Sequence, residues 1–151
     1  MQANDPMKFR QIIHEILERR SFAVVGASRD PEKYGYKVYR ALLDAGYDAY
    51  PVNPNAPHID GNEVYPLLDN VPGTPDCVVT IVQPELTYDV ARRCGHLHIP
   101  YMWMQPGSET HEAVLEAQSQ GVQAVYGGPC ILVALATYGK SHGAGVETAP
   151  R

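Results

Sequence analysis

The fold is decided by the stretch Ser21-Phe22-Ala23-Val24-Val25-Gly26-Ala27-Ser28. Its central residues are apolar without polar alternation, which is typical of a strand buried on both faces of a parallel sheet. Gly26 then permits the chain to turn, and the small residues Ala27 and Ser28 leave the backbone open to a ligand. The stretch therefore predicts a buried first strand that turns directly into a helix.

Apolar runs and helical periodicities alternate along the rest of the chain. The predicted strands are Ser21–Gly26, Tyr47–Val52, Asp76–Val82, Ile99–Met104 and Val122–Tyr126. The predicted helices are residues 7–20 opened by Asp5 and Pro6, a helix through Val38 that Gly46 ends, a weak helix near Val64–Leu68, Pro84–Leu97, Ser108–Gln120 with Ser108 as N-cap, and Cys130–Tyr138. Strands that alternate with helices form right-handed crossovers. The pattern therefore predicts an α/β fold, a three-layer Rossmann-like sandwich with a five-stranded parallel sheet and helices on both faces.

The composition excludes several classes of protein. Hydrophobic residues make up 44% of the 151 residues and charged residues 19%, which fits one globular domain rather than a disordered chain. We expect residues 1–139 to form that domain and residues 140–151 to form a flexible C-terminal tail. No apolar run is long enough to span a bilayer, and the formal charge of −5 argues against a nucleic-acid partner.

The N-terminus and the cysteines indicate the compartment. No basic segment is followed by an apolar one, so no secretory signal is predicted. Three widely spaced cysteines form neither a disulfide framework nor a zinc motif. We therefore expect a cytoplasmic protein with reduced thiols, no metal and no membrane partner.

The ligand site of a doubly wound sheet lies beyond the carboxyl ends of its strands. That rule points to the loops Gly26–Lys33, Asn53–His58, Gln83–Pro84, Gln105–Gly107 and Gly127–Cys130. In the first loop, backbone amides and the following helix N-terminus can receive phosphate oxygens, because the helix dipole is positive there. The first loop is therefore a candidate anion site.

Basic side chains concentrate beside this first loop. Four of the chain's twelve, Arg29, Lys33, Lys37 and Arg40, fall within twelve consecutive residues. In a chain of negative net charge this concentration favours a polyanionic ligand, because local charge can oppose global charge. The alternative is an ordinary strand-to-helix turn with solvated charges, since two acidic residues lie among the basic ones.

Several well-known motifs are missing from the sequence. The dinucleotide pattern G-x-G-x-x-G keeps only its first glycine, Gly26, and the second strand ends Val52-Asn53-Pro54 without the acid that holds a ribose diol. The sequence carries neither a P-loop nor a nucleophile elbow, and no triad or carboxylate pair is recognisable. These departures count against NAD and against a self-contained catalyst.

An ordered set of short motifs resembles the small bacterial and archaeal CoA-binding proteins. The motifs are Val24–Ser28 with Lys33, Gly46-Tyr47 leading to Pro51–Pro54, Gly61, Asp76–Val79, Val82–Glu85, Trp103–Gly107 and Gly121-Val122. The resemblance covers about residues 8–135. It implies a Rossmann-like fold, similar to the CoA-binding domain of the succinyl-CoA synthetase α subunit, that holds coenzyme A along the carboxyl edge of the sheet.

The resemblance also implies which residues contact coenzyme A or an acyl-CoA. The phosphates would meet Gly26, Ala27, Ser28 and Lys33, and our candidate for the 3′-phosphate is Arg29. The nucleotide half would lie beside Val52, Asn53 and Pro54, and the middle of the ligand beside Val82, Gln83 and Pro84. The pantetheine arm would be flanked by Gln105 and Gly107, with Cys130 near its thiol.

One position departs from the family pattern. The family usually reads Asp-Arg-Cys after the fifth strand, with a glutamate shortly beyond, whereas this chain reads Gly128-Pro129-Cys130 followed by apolar residues. Cys130 would begin the last helix. It is either a small core residue or a thiol that forms a mixed disulfide with the pantetheine arm.

Three functions fit these observations. The leading one is a non-catalytic or regulatory module for CoA or a short acyl-CoA, acting as a homodimer or with a partner subunit. The second is a CoA-ligase-like subunit that acts with a partner chain. The third is an NADP-binding Rossmann protein in which Arg29 would hold the 2′-phosphate, although the missing glycines count against it.

Overall fold

The computed structural model describes residues 7–139, and a parallel sheet lies at their centre. The strands are β1 (Ser21–Val25), β2 (Asp48–Val52), the short β3 (His58–Ile59) and β4 (Asn62–Glu63), β5 (Cys77–Thr80), β6 (Tyr101–Met104) and β7 (Gln123–Val125). Five of them pair in parallel in the order β2-β1-β5-β6-β7. Because β2 and β5 lie on opposite sides of β1, the strand order reverses between β1 and β5.

Helices cover both faces of this sheet. They are α1 (Arg10–Leu17), α2 (Tyr34–Asp44), α3 (Pro84–His96), α4 (His111–Ser119) and α5 (Ile131–Tyr138). On one face α5 packs against both α1 and α2, and on the other face α3 packs against α4. The predicted three-layer Rossmann-like sandwich with a five-stranded parallel sheet is confirmed.

The core forms where the apolar strands meet the inner faces of the helices. Every residue of β5 and β6 is buried, as the unbroken apolar runs predict for strands covered on both sides. The Phe22 ring packs edge-on against Tyr47, with centroids 4.9 Å apart. The Tyr47 hydroxyl donates a 2.6 Å hydrogen bond to the Leu17 carbonyl, and burial raises the pKa of Tyr47 to about 12.

Two cysteines belong to this core. Cys77 in β5 and Cys94 in α3 are fully buried, and burial raises the pKa of both thiols, to about 12 for Cys94. Both side chains therefore stay protonated and act as small apolar groups.

The weak helix predicted near Val64–Leu68 is wrong. The strands β3 and β4 pair as an antiparallel hairpin through a turn in which Asp60 and Gly61 both have positive φ, and one 3-10 turn follows at Leu68–Asn70. Tyr65 instead runs beside β2, since its amide donates to the Pro51 carbonyl at 2.9 Å. An Asp-Gly turn signal was present, but the strands that flank it are only two residues long.

The start of α4 is also corrected. Ser108 is not its N-cap, because the Thr110 hydroxyl accepts the Ala113 amide proton at 3.0 Å. Ser108 is buried instead, and its hydroxyl lies 2.9 Å from that of Thr80. The first helix is shorter than predicted, since it begins at Arg10 and ends at Leu17.

Some predictions fall outside the described residues. These are the opening of the first helix by Asp5 and Pro6, and the C-terminal tail 140–151. Between residues 7 and 139, no helix has both the length and the apolar character that a bilayer span requires.

Candidate functional site

Two adjoining cavities open beyond the carboxyl ends of β1, β2 and β5. The larger has a volume of about 740 Å³ and the smaller about 480 Å³. Gly26 and Asn53 line both of them, so the cavities meet where β1 and β2 end. Because the strand order reverses beside β1, this is the position at which doubly wound sheets bind ligands.

The smaller cavity lies against the N-terminus of α2. It is lined by Gly26, Ser28, Glu32, Lys33, Tyr34, Gly35, Asn53 and Ile81. No side chain caps this end of α2, and the amides of Tyr34 and Gly35 have no acceptor within the helix, whereas the Tyr36 amide donates to the Lys33 carbonyl at 3.1 Å. An anion placed here would accept hydrogen bonds from the N–H groups of Tyr34 and Gly35 and would be stabilised by the positive end of the helix dipole.

Two glycines bring α2 close to the end of β1. Gly26 has a φ of +99°, and a Cβ built on it would overlap the backbone carbonyl of Ile81. A Cβ on Gly35 would overlap the Gly26 carbonyl in the same way. The helix N-terminus therefore lies directly on the first loop, at a distance that side chains do not permit.

The predicted cations are not equivalent in the structure. Arg40 is engaged at 3.1 Å by Asp44 and at 3.3 Å by Asp60, so its charge is compensated. Within residues 7–139, Lys33 and Arg29 have no ion-pair partner within 4.0 Å. Lys33 lines the smaller cavity, whereas Arg29 is exposed and lines neither cavity. Lys33 is thus the cation best placed to meet an anion.

The larger cavity is mostly apolar. It is lined by Val25, Gly26, Val52, Asn53, Pro54, Asn55, Pro66, Leu67, Leu68, Asp69, Val82, Leu86, Asp89, Val90 and Arg93. One wall carries Leu67, just before the 3-10 turn, and another carries Leu86 in α3, with 59% and 52% of their surface exposed. Arg93 forms an ion pair with Asp69 that joins the two walls. A flat apolar ligand group between these walls would cover both leucines.

The wall that α3 contributes was missed in the sequence. Leu86 and Val90 are one helical turn apart and point into the cavity, while Thr87, Ala91 and Cys94 bury the opposite face of α3. Leu86 and Val90 form an apolar pair at i, i+4 that lies outside the core face of the helix, and this pair could have predicted the wall from the sequence.

Asn53 ties the ends of β1 and β2 together. Its Nδ2 donates to the Ala27 carbonyl at 2.7 Å, and its Oδ1 accepts the Asn55 amide proton at 2.8 Å. The Gly26 amide donates to the Val52 carbonyl at 3.0 Å, so this N–H is not available to a ligand. Asn53 therefore shapes the junction of the two cavities through bonds within the chain.

A second cluster lies at the ends of β6 and β7. Gln105 is only 4% exposed, its Nε2 donates to the Cys130 sulfur at 3.4 Å, and its Oε1 accepts the Ile131 amide proton at 2.6 Å. The Trp103 indole donates to the Pro129 carbonyl at 3.1 Å. Both ends of the Gln105 side chain are thus engaged in fastening α5 to β6.

The predicted site residues fall into two groups. The residues that line the two cavities are Gly26, Ser28, Lys33, Val52, Asn53, Pro54 and Val82. The others lie around them, with Ala27 buried below the loop, Arg29 exposed, Gln83 and Pro84 at the start of α3, and Gln105, Gly107 and Cys130 at the ends of β6 and β7.

The fold defines a Rossmann-like domain with two joined cavities at its topological switch point, where the candidate site lies. A family model described as "CoA binding domain" matches residues 20–136. The chain belongs to this CoA-binding domain family.

The known relatives fall into long and short proteins. The chain is 34% identical over 77 residues to the α subunit of an ADP-forming acetate–CoA ligase II from Pyrococcus furiosus, a match that covers 50% of this chain and 17% of that protein. It is 34% identical over 110 residues to the uncharacterized protein YneT of Bacillus subtilis, covering 72% of this chain and 82% of YneT. A solved hypothetical protein from Pyrococcus horikoshii superposes with a TM-score of 0.79 at 31% identity, covering 83% of this chain and 89% of that one.

Proposed function

We propose that this chain binds coenzyme A or a short acyl-CoA as a ligand-binding module without catalytic groups of its own. The observation that carries the proposal is the junction of an anion cavity and an apolar cavity at Gly26 and Asn53. In coenzyme A the diphosphate lies next to the adenine nucleoside. The phosphates therefore match the smaller cavity, and the adenine matches the adjoining larger cavity.

The phosphates occupy the smaller cavity in this proposal. The cavity is lined by Tyr34 and Gly35, whose amides have no acceptor within α2, and by Lys33, which has no ion-pair partner within residues 7–139. Charge-assisted hydrogen bonds of this kind are about twice as strong as neutral ones. Arg29 lies outside the cavity, where it can reach a 3′-phosphate that projects to the surface.

The adenine lies between Leu67 and Leu86 in the larger cavity. Burying flat apolar surface stabilises the complex by roughly 25 cal/mol for each Å² removed from water. The Asp89 carboxylate lines the same cavity and can accept a hydrogen bond from the adenine amino group. Pro54 and Val82 complete the contacts along the nucleotide half.

The pantetheine arm runs from the phosphates across β5 toward β6 and β7. Neighbouring strands are about 4.8 Å apart, so the end of β6 lies roughly 10 Å from that of β1. This direction brings the arm past Gln83 and Pro84 to Gly107, with Cys130 near the thiol. Because both polar ends of Gln105 are already engaged, Gln105 supports this part of the site by holding α5 in place.

A second candidate function is that of a CoA-ligase-like subunit acting with a partner chain. The observation that favours it is the match to an acetate–CoA ligase α subunit, of which this chain matches 17%. Co-purification of a partner chain and CoA-dependent ligase activity only in the pair would support it over the module.

Ligand-dependent thermal stability tests the proposal. The purified chain is melted with CoA, dephospho-CoA, pantetheine, NAD, NADP and ATP, each at the same concentration. CoA at a hundred times its Kd adds about 2.7 kcal/mol of stability, which raises Tm by roughly 5–10 °C. A shift with NADP and none with CoA would contradict the proposal.

A further inference from the structure

One carboxylate is held beside the proposed thiol end of the ligand. Glu109 Oε1 accepts the Gly107 amide proton at 2.9 Å, which folds the carboxylate back onto the loop after β6. Within residues 7–139, Glu109 has no ion-pair partner within 4.0 Å. Its negative charge at this loop is therefore uncompensated.

The two loops that follow β6 and β7 leave open space at their glycines. Gly107 has a φ of +95° and Gly128 a φ of +140°, and a Cβ on either would meet no described atom within 4 Å. Both glycines belong to loops that follow neighbouring strands, β6 and β7, and the Gln105–Cys130 contact holds these loops together. If the pantetheine arm runs as proposed above, an acyl group on its sulfur would enter this open space.

No basic residue offsets Glu109 in the two loops. Residues 105–109 read Gln-Pro-Gly-Ser-Glu, and residues 127–131 read Gly-Gly-Pro-Cys-Ile. An acyl chain that ends in a carboxylate would find no cation in these loops and would meet a charge of its own sign. Like charges placed close together disfavour binding, whereas an uncharged acyl chain avoids this repulsion.

We infer that Glu109 is a specificity-determining residue that excludes dicarboxylic acyl groups, so that the acyl-CoA bound by this chain is uncharged at its acyl end. The inference rests on the proposed function. The inference narrows the class of ligand in the proposed function to free CoA or a short monocarboxylic acyl-CoA.

The test compares acyl groups that have equal carbon counts and different charge. Isothermal titration gives the Kd of CoA, butyryl-CoA and succinyl-CoA for the wild type, for Glu109→Gln and for Glu112→Gln. Glutamine at position 109 can keep the hydrogen bond from Gly107 while removing the charge. Glu112→Gln removes an exposed carboxylate one turn further along and is the matched control.

We expect succinyl-CoA to bind the wild type about fivefold more weakly than butyryl-CoA. Glu109→Gln should narrow that ratio at least threefold, and Glu112→Gln should leave it unchanged. Raising the salt concentration should narrow the wild-type ratio, since exposed charges are screened within about 10 Å at 0.1 M. Equal wild-type affinities, or an unchanged ratio in Glu109→Gln, would overturn the inference while CoA binding stands. Loss of CoA binding itself would instead refute the proposed function.

Discussion

Replacing Gly26 by alanine tests the steric basis of the site. An L-residue in left-handed backbone costs roughly 1–2 kcal/mol, and Gly26 has a φ of +99°. The new Cβ would also overlap the Ile81 carbonyl, which is backbone and has to move with β5. Forcing extra volume into packed structure costs about 1–3 kcal/mol. With the conformational cost added, Gly26→Ala should lower the free energy of unfolding by about 3–4 kcal/mol.

Gly121→Ala is the matched control for this substitution. Gly121 follows α4 with a φ of +80°, and a Cβ there would meet no described atom within 4 Å. It should lose only the conformational part, roughly 1–2 kcal/mol. The two variants should therefore differ by about 2 kcal/mol, or roughly 6 °C in Tm.

Urea unfolding followed by tryptophan fluorescence measures both losses. Trp103 is the single tryptophan of the chain and is fully buried in β6, so its emission reports unfolding of the sheet. Gly26→Ala should also weaken CoA binding, because both Gly26 and Ile81, whose carbonyl would be displaced, line the smaller cavity. Equal destabilisation in the two variants would refute the claim that Gly26 is required for the close approach of β1 to β5.

Three further predictions concern charge and apolar surface. Because burial raises the pKa of Tyr47 from 10.0 to about 12, the folded protein keeps a proton that the unfolded chain releases above pH 10. This contribution to the free energy of unfolding is fully present below pH 10 and should be lost as the pH rises toward 12, by about 1.4 kcal/mol at pH 11. Between pH 9 and pH 11, the urea midpoint should therefore fall less in Tyr47→Phe than in the wild type. Lys33→Gln should weaken the affinity for CoA about tenfold and leave the affinity for pantetheine unchanged. Lys37 lies outside both cavities, so Lys37→Gln should change neither affinity. Equal losses of affinity for CoA and pantetheine in Lys33→Gln would show that Lys33 does not contact a phosphate. Leu86→Ala should keep the free energy of unfolding within about 0.5 kcal/mol of the wild-type value, since Leu86 is 52% exposed. Calorimetry should show that the variant binds CoA several-fold more weakly. An unchanged affinity would contradict the placement of the adenine in the larger cavity.

Local patterns in the sequence were sufficient for the architecture. The apolar run through Phe22–Val25 predicts a doubly covered strand because no polar residue interrupts it. Gly46 and Gly121 end their helices at positive φ, as a glycine after a periodic segment predicts. These signals depend on neighbours along the chain, so the order of the five sheet strands and their helices, and the sheet edge that carries the candidate site, could be predicted before any contact was known.

The walls of the larger cavity could not be predicted in the same way. Leu67 and Leu86 are far apart in sequence, and only the packing of α3 beside the 3-10 turn places them across one space. The Arg93–Asp69 pair likewise joins two segments with no local relation.

The amino-acid sequence alone was enough to predict the sandwich and the switch point, and to make the first loop a candidate anion site, because strand burial, helix ends and charge clustering are local properties. Which polar groups remain unpaired depends on the packing of the folded chain. The sequence predicts ligand contacts for Gly26, Asn53 and Gln105, yet the Gly26 amide and the side chains of Asn53 and Gln105 form hydrogen bonds within the chain. Packing selects hydrogen-bond partners that are far apart along the chain, and it leaves Lys33 and the amides of Tyr34 and Gly35 as the groups that we propose for the phosphates.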